Sequence, residues 1–240
     1  MKVLILAGGK SSRLRPYTTV LPKPMLPVGD YPVLEIILRQ LKAAGVTHVT
    51  LAVGYLGHIF QAFFQDGSRL GLSISYSFEE KPLGTAGPIA LSLGELGEDF
   101  IVMNGDLLTT LNYGKLFQAH LDAKAAATIA TYKREVKMDF GVIESSSSGL
   151  DRYIEKPVYN FDVSMGINVL NSKVISRFLK SGQYLDIPDL MIKLKEDGQV
   201  VHCHQQPCYW LDMGRMDDYQ TASEIFETRQ GEFLPDSRQK

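Results

Sequence analysis

Two glycines follow the first apolar run of the chain, in Leu6-Ala7-Gly8-Gly9-Lys10-Ser11-Ser12-Arg13. Glycines behind a buried strand leave backbone N–H groups open to a phosphate, and ligands of open α/β sheets bind at such carboxyl ends. Two common phosphate loops fail here. A Walker A loop on Gly9-Lys10-Ser11 needs glycine where Leu4 stands, and a dinucleotide fingerprint starting at Gly8 needs glycine where Lys10 stands. The next stretch is basic and stiff: Arg13-Leu14-Arg15-Pro16, then Leu21-Pro22-Lys23-Pro24-Met25-Leu26-Pro27-Val28. Pro16, Pro22, Pro24 and Pro27 forbid a long helix. A rigid loop with cations beside free amides suits a triphosphate. The amides take the near phosphates, while Arg13 and Lys23 neutralise a leaving pyrophosphate.

Two aspartates also stand beside glycines. Asp106 ends Met103-Asn104-Gly105-Asp106, and Asp212 lies in Trp210-Leu211-Asp212-Met213-Gly214. An Asp at a strand's carboxyl end serves either as a Mg²⁺ ligand in phosphoryl transfer or as an Asx-turn cap. Glu80-Lys81-Pro82-Leu83-Gly84-Thr85-Ala86-Gly87 reads by itself as a loop with Thr85 as helix N-cap. Glu155-Lys156 before Pro157 reads by itself as a solvated charge pair. His202, Cys203, His204 and Cys208 tempt a zinc reading. Strand alternation puts Cys203 opposite both histidines and no Cys-x-x-Cys spacing is present, so a single edge or buried strand is expected instead.

These residues need elements to hold them. Residues 3–7 read as a strand buried on both faces. Asp30 is expected to cap a helix through Leu41, with Pro32 in its first turn and Gly45 past its end. Residues 48–53, 72–78 and 99–104 read as strands, and 56–64 and 85–93 as helices. This alternation argues for a mostly parallel sheet covered on both sides. In the second half, 112–121, 173–179, 186–196 and 216–228 read as helices, and 125–132, 140–144, 163–170 and 199–204 as strands. Ser145-Ser146-Ser147-Ser148-Gly149 is expected at a hairpin tip. The expectation is one domain over residues 1–230, with 231–240 a polar, frayed tail.

The ordered blocks Leu6-Ala7-Gly8-Gly9-Lys10-Ser11-Ser12-Arg13-Leu14, Pro16-Tyr17-Thr18 and Lys23-Pro24-Met25-Leu26-Pro27-Val28 resemble the opening of the sugar nucleotidyltransferases, the nucleoside-diphosphate-sugar pyrophosphorylases. Ser11 stands where most of that family carries a third glycine. The glycine turn also resembles the molybdopterin nucleotidyltransferases, while the later motifs favour the sugar branch. The resemblance covers nearly the whole chain. It implies an α/β, Rossmann-like three-layer fold with a mostly parallel central sheet and a small antiparallel sugar-binding portion. It implies nucleotide binding by Leu6, Ala7, Gly8, Gly9, Gly84, Thr85 and Asn104, and catalysis by Arg13, Lys23 and Asp106. It implies Mg²⁺ held by Asp106 and Asp212, and sugar phosphate held by Gly141, Glu155, Lys156 and Asn168. The Leu83-Gly84-Thr85-Ala86-Gly87 run is most like the guanylyltransferase branch, with uridylyl or thymidylyl transfer as the alternative.

Composition agrees and excludes other classes. The chain has 240 residues, 45% hydrophobic and 22% charged, which rules out disorder and coiled coil as overall descriptions. A net charge of -2 gives no basic field for nucleic acid. No apolar run reaches the ~18 residues that would span a bilayer, and two cysteines are too few for a disulfide scaffold. The expectation is a cytoplasmic enzyme taking an NTP and a sugar 1-phosphate, without nucleic-acid or membrane partners and without an appended β-helix or acyltransferase domain. A homo-oligomer stays open. So do a molybdenum-cofactor nucleotidyltransferase and a non-catalytic nucleotide-sugar binding protein.

Overall fold

The structure is a computed structural model that describes residues 1–9 and 12–234. It opens on β1 (Lys2–Leu6), where Val3, Leu4 and Ile5 are fully buried. Successive side chains of a strand point to opposite faces. Val3 and Ile5 join one core and Leu4 the other, which is why the run is apolar throughout. Lys10 and Ser11 of the glycine turn lie outside the described residues. The proline-spaced loop passes through short 3-10 turns into β2 (Pro27–Val28) and β3 (Tyr31–Pro32). Helix α1 (Val33–Ala43) then starts with Pro32 as its N-cap, not with Asp30 as expected. Tyr31 and Pro32 pair back on Val28 and Pro27, and this delays the helix.

The next elements are β4 (His48–Val53), α2 (Gly57–Phe64), β5 (Ser73–Phe78) and α3 (Ile89–Ser92). The expected helix over 85–93 is thus reduced to about one turn. The cause is a competing set of bonds: the N–H groups of Ala86 and Gly87 both donate to the Leu185 carbonyl, and Leu185 N–H donates to Leu83. Gly84 adopts φ +78, and a side chain there would meet the Leu185 carbonyl oxygen at 2.5 Å. β6 (Asp99–Asn104), β7 (Leu107–Thr109) and α4 (Tyr113–Asp122) follow, with Asn112 capping α4 by accepting the Lys115 N–H at 3.0 Å.

β8 (Ala127–Lys137) rises far beyond the expected strand and carries an outlying hairpin, β9 (Val142–Ser146) and β10 (Gly149–Ile154), which turns at Ser147-Ser148. β11 (Val158–Asn171) returns alongside β8. α5 (Ser172–Ile175), α6 (Ile187–Glu196), β12 (Val201–Gln205), β13 (Trp210–Asp212) and α7 (Met216–Phe233) complete the chain. α5 is one turn rather than a helix to residue 179. α7 runs past residue 228, and Phe233 and Leu234 are buried, so residues 231–234 belong to the core rather than to a polar tail. Residues 235–240 lie outside the described residues.

The main sheet has seven strands in the order β12-β8-β11-β6-β1-β4-β5. β11 is antiparallel to both of its neighbours; the other pairings are parallel. α1, α2 and α4 supply side chains to the core on one face, and α3, α5 and α6 to the core on the other. This is the three-layer, Rossmann-like fold, and β12 is one of the sheet's two edges, β5 the other. The chain winds outward from β1 to β4 and β5, then returns to place β6 on the other side of β1. Such a topological switch point opens a crevice at the carboxyl ends of the two strands. Among the described residues no helix is long and apolar enough to cross a membrane.

At the opposite end of the sheet, the buried His120 ring sits 2.9 Å from Thr128 Oγ1 through Nδ1 and 3.2 Å from Asp99 Oδ1 through Nε2. Burial holds its pKa below the ordinary histidine value, although Asp99 pulls the other way. The native state then binds fewer protons than the unfolded chain just below pH ~6.5. Stability should therefore fall as pH drops through that window. Urea unfolding at pH 5.5 and 7.5 checks this, with His120→Gln expected to flatten the dependence.

Candidate active site

The crevice at the switch point has a volume of about 360 Å³. Its floor is the loop after β1, with Leu6, Ala7, Gly8 and Gly9 lining it. That loop is pinned on both sides: Ala7 N–H donates to Ala52 O at 2.8 Å, and Gly105 N–H donates to Leu6 O at 3.0 Å. The N–H groups of Gly8 and Gly9 have no partner among the described residues, so both are free to donate to a ligand. Asn104 and Asp106 enter from the end of β6, and Lys23 with Pro24 from the proline-spaced loop. Gly84 and Thr85 form the opposite wall. The seven residues that the resemblance assigns to nucleotide binding thus all line one crevice, while Arg13 does not.

Lys23 is buried at the start of a 3-10 turn. Its ammonium contacts Asp106 Oδ2 and lies 3.4 Å from Asp212 Oδ1. Asp212 reaches the site because β13 pairs antiparallel with β7, placing Asp212 opposite Leu107. Met213 N–H also donates to Asp106 O at 3.3 Å. The two aspartates therefore converge on one cation, which their spacing alone left undecided. Burial pushes the Asp106 carboxyl above its ordinary range; Lys23 pulls it back, and Asp212 pushes it up again. Two carboxylates that already share a cation form a hard oxygen donor pair of the kind Mg²⁺ takes. Among the described residues no group of three or more His, Cys, Asp or Glu gathers for a metal.

Thr85 does not cap its own helix. Its N–H and hydroxyl donate to Asp186 Oδ1 at 2.9 and 3.1 Å, and its oxygen accepts the Ile187 N–H at 2.8 Å, so it serves the start of α6. Two lining residues escaped the sequence analysis. Glu79 follows β5 and accepts the Leu83 N–H at 3.0 Å through Oε2. A side chain on Gly8 would come within 2.5 Å of its Oε1. Burial raises the Glu79 pKa and the Leu83 bond lowers it. Tyr184 is exposed at the rim, and its hydroxyl donates to Asp186 Oδ2 at 2.6 Å. That bond raises the Tyr184 pKa and lowers that of Asp186. The signal for Glu79 was its place at a strand's carboxyl end; Tyr184 had none.

Asp212 itself belongs to a second cleft of about 390 Å³. Arg13 lies there rather than in the nucleotide crevice, together with Arg134, Arg215 and the ring pair Tyr132 and Trp210. The sugar-phosphate set is not brought together. Gly141 precedes β9 against the Tyr153 ring, and Glu155 and Lys156 are exposed after β10, with no polar partner among the described residues. Asn168 is buried in β11 between Val102 and Ile129, and its Oδ1 has no partner. None of the four lines either cleft.

The family model described as "Nucleotidyl transferase" matches residues 2–229. The chain belongs to the nucleotidyl transferase family. It is 34% identical over 235 residues to the mannose-1-phosphate guanyltransferase of Schizosaccharomyces pombe, covering 94% of this chain and 64% of the relative. It is 32% identical over 243 residues to the UTP–glucose-1-phosphate uridylyltransferase of Synechocystis, covering 92% of this chain and 62% of the relative. The chain thus spans less than two thirds of the length of these curated relatives. Among solved structures it is similar to a candidate glucose-1-phosphate thymidylyltransferase of Bacillus anthracis crystallised with sucrose. The TM-score is 0.76 and the identity 27%, over 94% of each chain. A nucleotidyl transferase fold thus carries the crevice, and these three similar proteins are named for mannose 1-phosphate or glucose 1-phosphate.

The buried ion pair gives a test of the nucleotidyl transferase site that needs no substrate. Lys23→Met strands Asp106 without its counter-charge and should lower stability by about 3 kcal/mol. Adding Asp106→Asn should restore more than half of that loss, because the uncompensated charge is then gone. A double-mutant cycle by urea unfolding measures the coupling.

Proposed function

We propose that the protein joins an NTP, GTP by preference, to a sugar 1-phosphate, giving an NDP-sugar and pyrophosphate. One observation carries this reading: the free amides of Gly8 and Gly9, the Lys23 ammonium and Asp106 line one switch-point crevice, and Asp212 reaches the same ammonium from the adjoining cleft. In the reaction, an oxygen of the sugar phosphate attacks the α-phosphorus in line. The bond from that phosphorus to the bridging oxygen of the β-phosphate breaks, and pyrophosphate leaves with the electron pair. Little covalent work falls to the side chains, so positioning and charge neutralisation supply the acceleration. Gly8 and Gly9 donate to the phosphates, and Lys23 offsets the charge that grows on the leaving group. Asp106 and Asp212 would hold Mg²⁺, which supplies Lewis-acid neutralisation of the phosphate oxygens when bound.

The base preference rests on Glu79. A carboxylate only accepts hydrogen bonds. Guanine offers adjacent donors, N1–H and the N2 amino group, to such an acceptor. Uracil and thymine flank their single N–H with carbonyl oxygens, which a carboxylate repels. The S. pombe relative agrees with this reading, and the Synechocystis relative keeps UTP as the second. Tyr184 offers its ring to the base at the rim. A cytoplasmic setting suits the chain, whose Cys203 and Cys208 are free thiols.

Incubation with each NTP, a panel of sugar 1-phosphates and Mg²⁺, read by pyrophosphate release, tests the reading. The expected result is release with GTP above UTP and dTTP, abolished by a chelator. Binding of nucleotide sugar without any release would make the protein a binding module instead. Asp106→Asn should cut turnover by orders of magnitude, since Asn keeps the shape and loses the charge. Glu79→Gln should narrow the preference for GTP over UTP by about tenfold or more, because one charged hydrogen bond is exchanged for a neutral one.

A further inference from the structure

The ribbon formed by β8 and β11 outruns the sheet that carries it. β12 covers the edge of β8 only as far as Thr131, and β6 covers β11 only from Ile167 onward. From Tyr132 to Lys137 and from Val158 to Ser164 the two strands therefore pair only with each other, and both outer edges are open among the described residues. Met138 N–H donates to Pro157 O at 3.0 Å, so by alternation Val136, Arg134 and Tyr132 turn their backbone groups to β11. Lys133, Glu135 and Lys137 turn theirs to the open edge. The outer edge of β11 lies on the β6 side, beside the nucleotide crevice, where a side chain on Gly166 would meet Asn104 at 2.6 Å. The outer edge of β8 lies on the β12 side and faces away from the crevice.

An open edge is a template for another strand, and lysines are a common way to blunt it. Here charge of both signs stands on it, in Lys133-Arg134-Glu135-Val136-Lys137 with Met138 and Asp139 just beyond. Lys133, Glu135 and Lys137 are exposed and form no ion pair among the described residues. The pattern is antisymmetric about Val136: Glu135 answers Lys137, and Lys133 answers Asp139. Two copies of β8 laid antiparallel about a two-fold axis at Val136 set Glu135 against Lys137 twice, with Val136 facing itself. Glu135 and Lys137 both turn their backbone groups outward, so the same register completes the hydrogen-bond ladder. Side-chain alternation restricts the axis to whole residues. An axis at Lys133, Arg134, Glu135 or Lys137 would set that charge against its own copy, and one at Tyr132 would run into β12. The tip of the arm is apolar on its surface. Phe140 is 77% exposed, Leu150 65% and Tyr153 63%. With Ile143 and Phe161 they expose on the order of several hundred Å², the scale that marks an interface. Antiparallel arms bring Phe140 of one copy level with Tyr132, at the root of the other arm, which gives the tip cover. We propose that the protein forms a two-fold dimer through this edge, β8 pairing with β8 of a second copy about Val136 so that the two ribbons make one four-stranded sheet. The proposal does not depend on the transfer reaction.

The test is sedimentation equilibrium of the full chain, with charge exchange at the two opposed positions. The unaltered protein is expected to sediment as a dimer. Glu135→Lys sets lysine against lysine at both pairs, and Lys137→Glu sets glutamate against glutamate. Each variant alone should raise the dimer dissociation constant about tenfold or more. An equimolar mixture of the two variants restores opposite charges at both pairs, and so does the double variant carrying both substitutions. Mixture and double variant should each return to dimer. Both positions are exposed, so the variants should fold, and thermal unfolding of each shows that they have. A monomeric unaltered protein overturns the proposal. So does an assembly that either single variant leaves intact, which would place the contact on another face. A mixture that stays monomeric, when both components are folded, overturns the Val136 register and the proposal with it.

Discussion

One buried ammonium organises the crevice at the switch point of this molecule. Lys23 meets Asp106 and Asp212, the latter 189 residues away in sequence. Removing a lysine and a carboxylate from water costs several kcal/mol per ion, and only close contact returns it. The proline-spaced loop must therefore be stiff enough to hold Lys23 inward, and β13 must pair with β7 to bring Asp212 in. The same bonds fix the distance between the glycine floor and the second cleft, because each residue of the trio touches one of them. Structure and chemistry depend here on a single contact set.

A second clamp sets the width of the nucleotide crevice. Asp186 takes the N–H and the hydroxyl of Thr85 on one oxygen and the Tyr184 hydroxyl on the other. The backbone of Leu185 meanwhile binds Leu83, Ala86 and Gly87. These bonds are why the helix expected over 85–93 survives only as Ile89–Ser92. Local preference favoured a Thr85-capped helix, and a long-range network won because it satisfies more backbone groups at once. The strain-free way to make that turn is the left-handed backbone at Gly84.

Legibility in the sequence tracks the range of the interactions involved. The buried strands β1, β4 and β6 and their alternation with helices were readable, because a strand covered on both faces must be apolar all along. Leu6, Ala7, Gly8, Gly9 and Asn104 could be named because they stand at or directly after the ends of β1 and β6, whereas Gly84 and Thr85, farther on beyond β5, were named only from the family resemblance. Asp106 and Asp212 could be named, but their meeting depends on β7 pairing with β13, a non-local contact between three-residue strands with no periodicity to betray it. The arm of β8, β9, β10 and β11 was mis-sized for a similar reason: its outer half is solvated, so the apolar signal stops while the ladder of hydrogen bonds continues. Phe233 and Leu234 anchor the end of α7, which the polar residues around them concealed. Arg134 and Arg215 gave no local signal at all, since a lone arginine on a solvated strand or before a helix is ordinary.

The placement of charge explains why two clefts exist rather than one. An in-line displacement needs the incoming oxygen and the leaving group on opposite sides of one phosphorus. The two substrates of the proposed reaction are both anions, which repel each other at short range. A single open basin lined with cations would bind them without ordering them. Here Lys23 stands where the two clefts meet, Arg13, Arg134 and Arg215 line the second, and the carboxylates of Asp106 and Asp212 lie between. Those carboxylates would repel phosphate oxygens unless a cation covers them, and in the free protein Lys23 does so. The fold thus stores its own neutralising charge against Asp106 and Asp212, at the boundary of the two clefts.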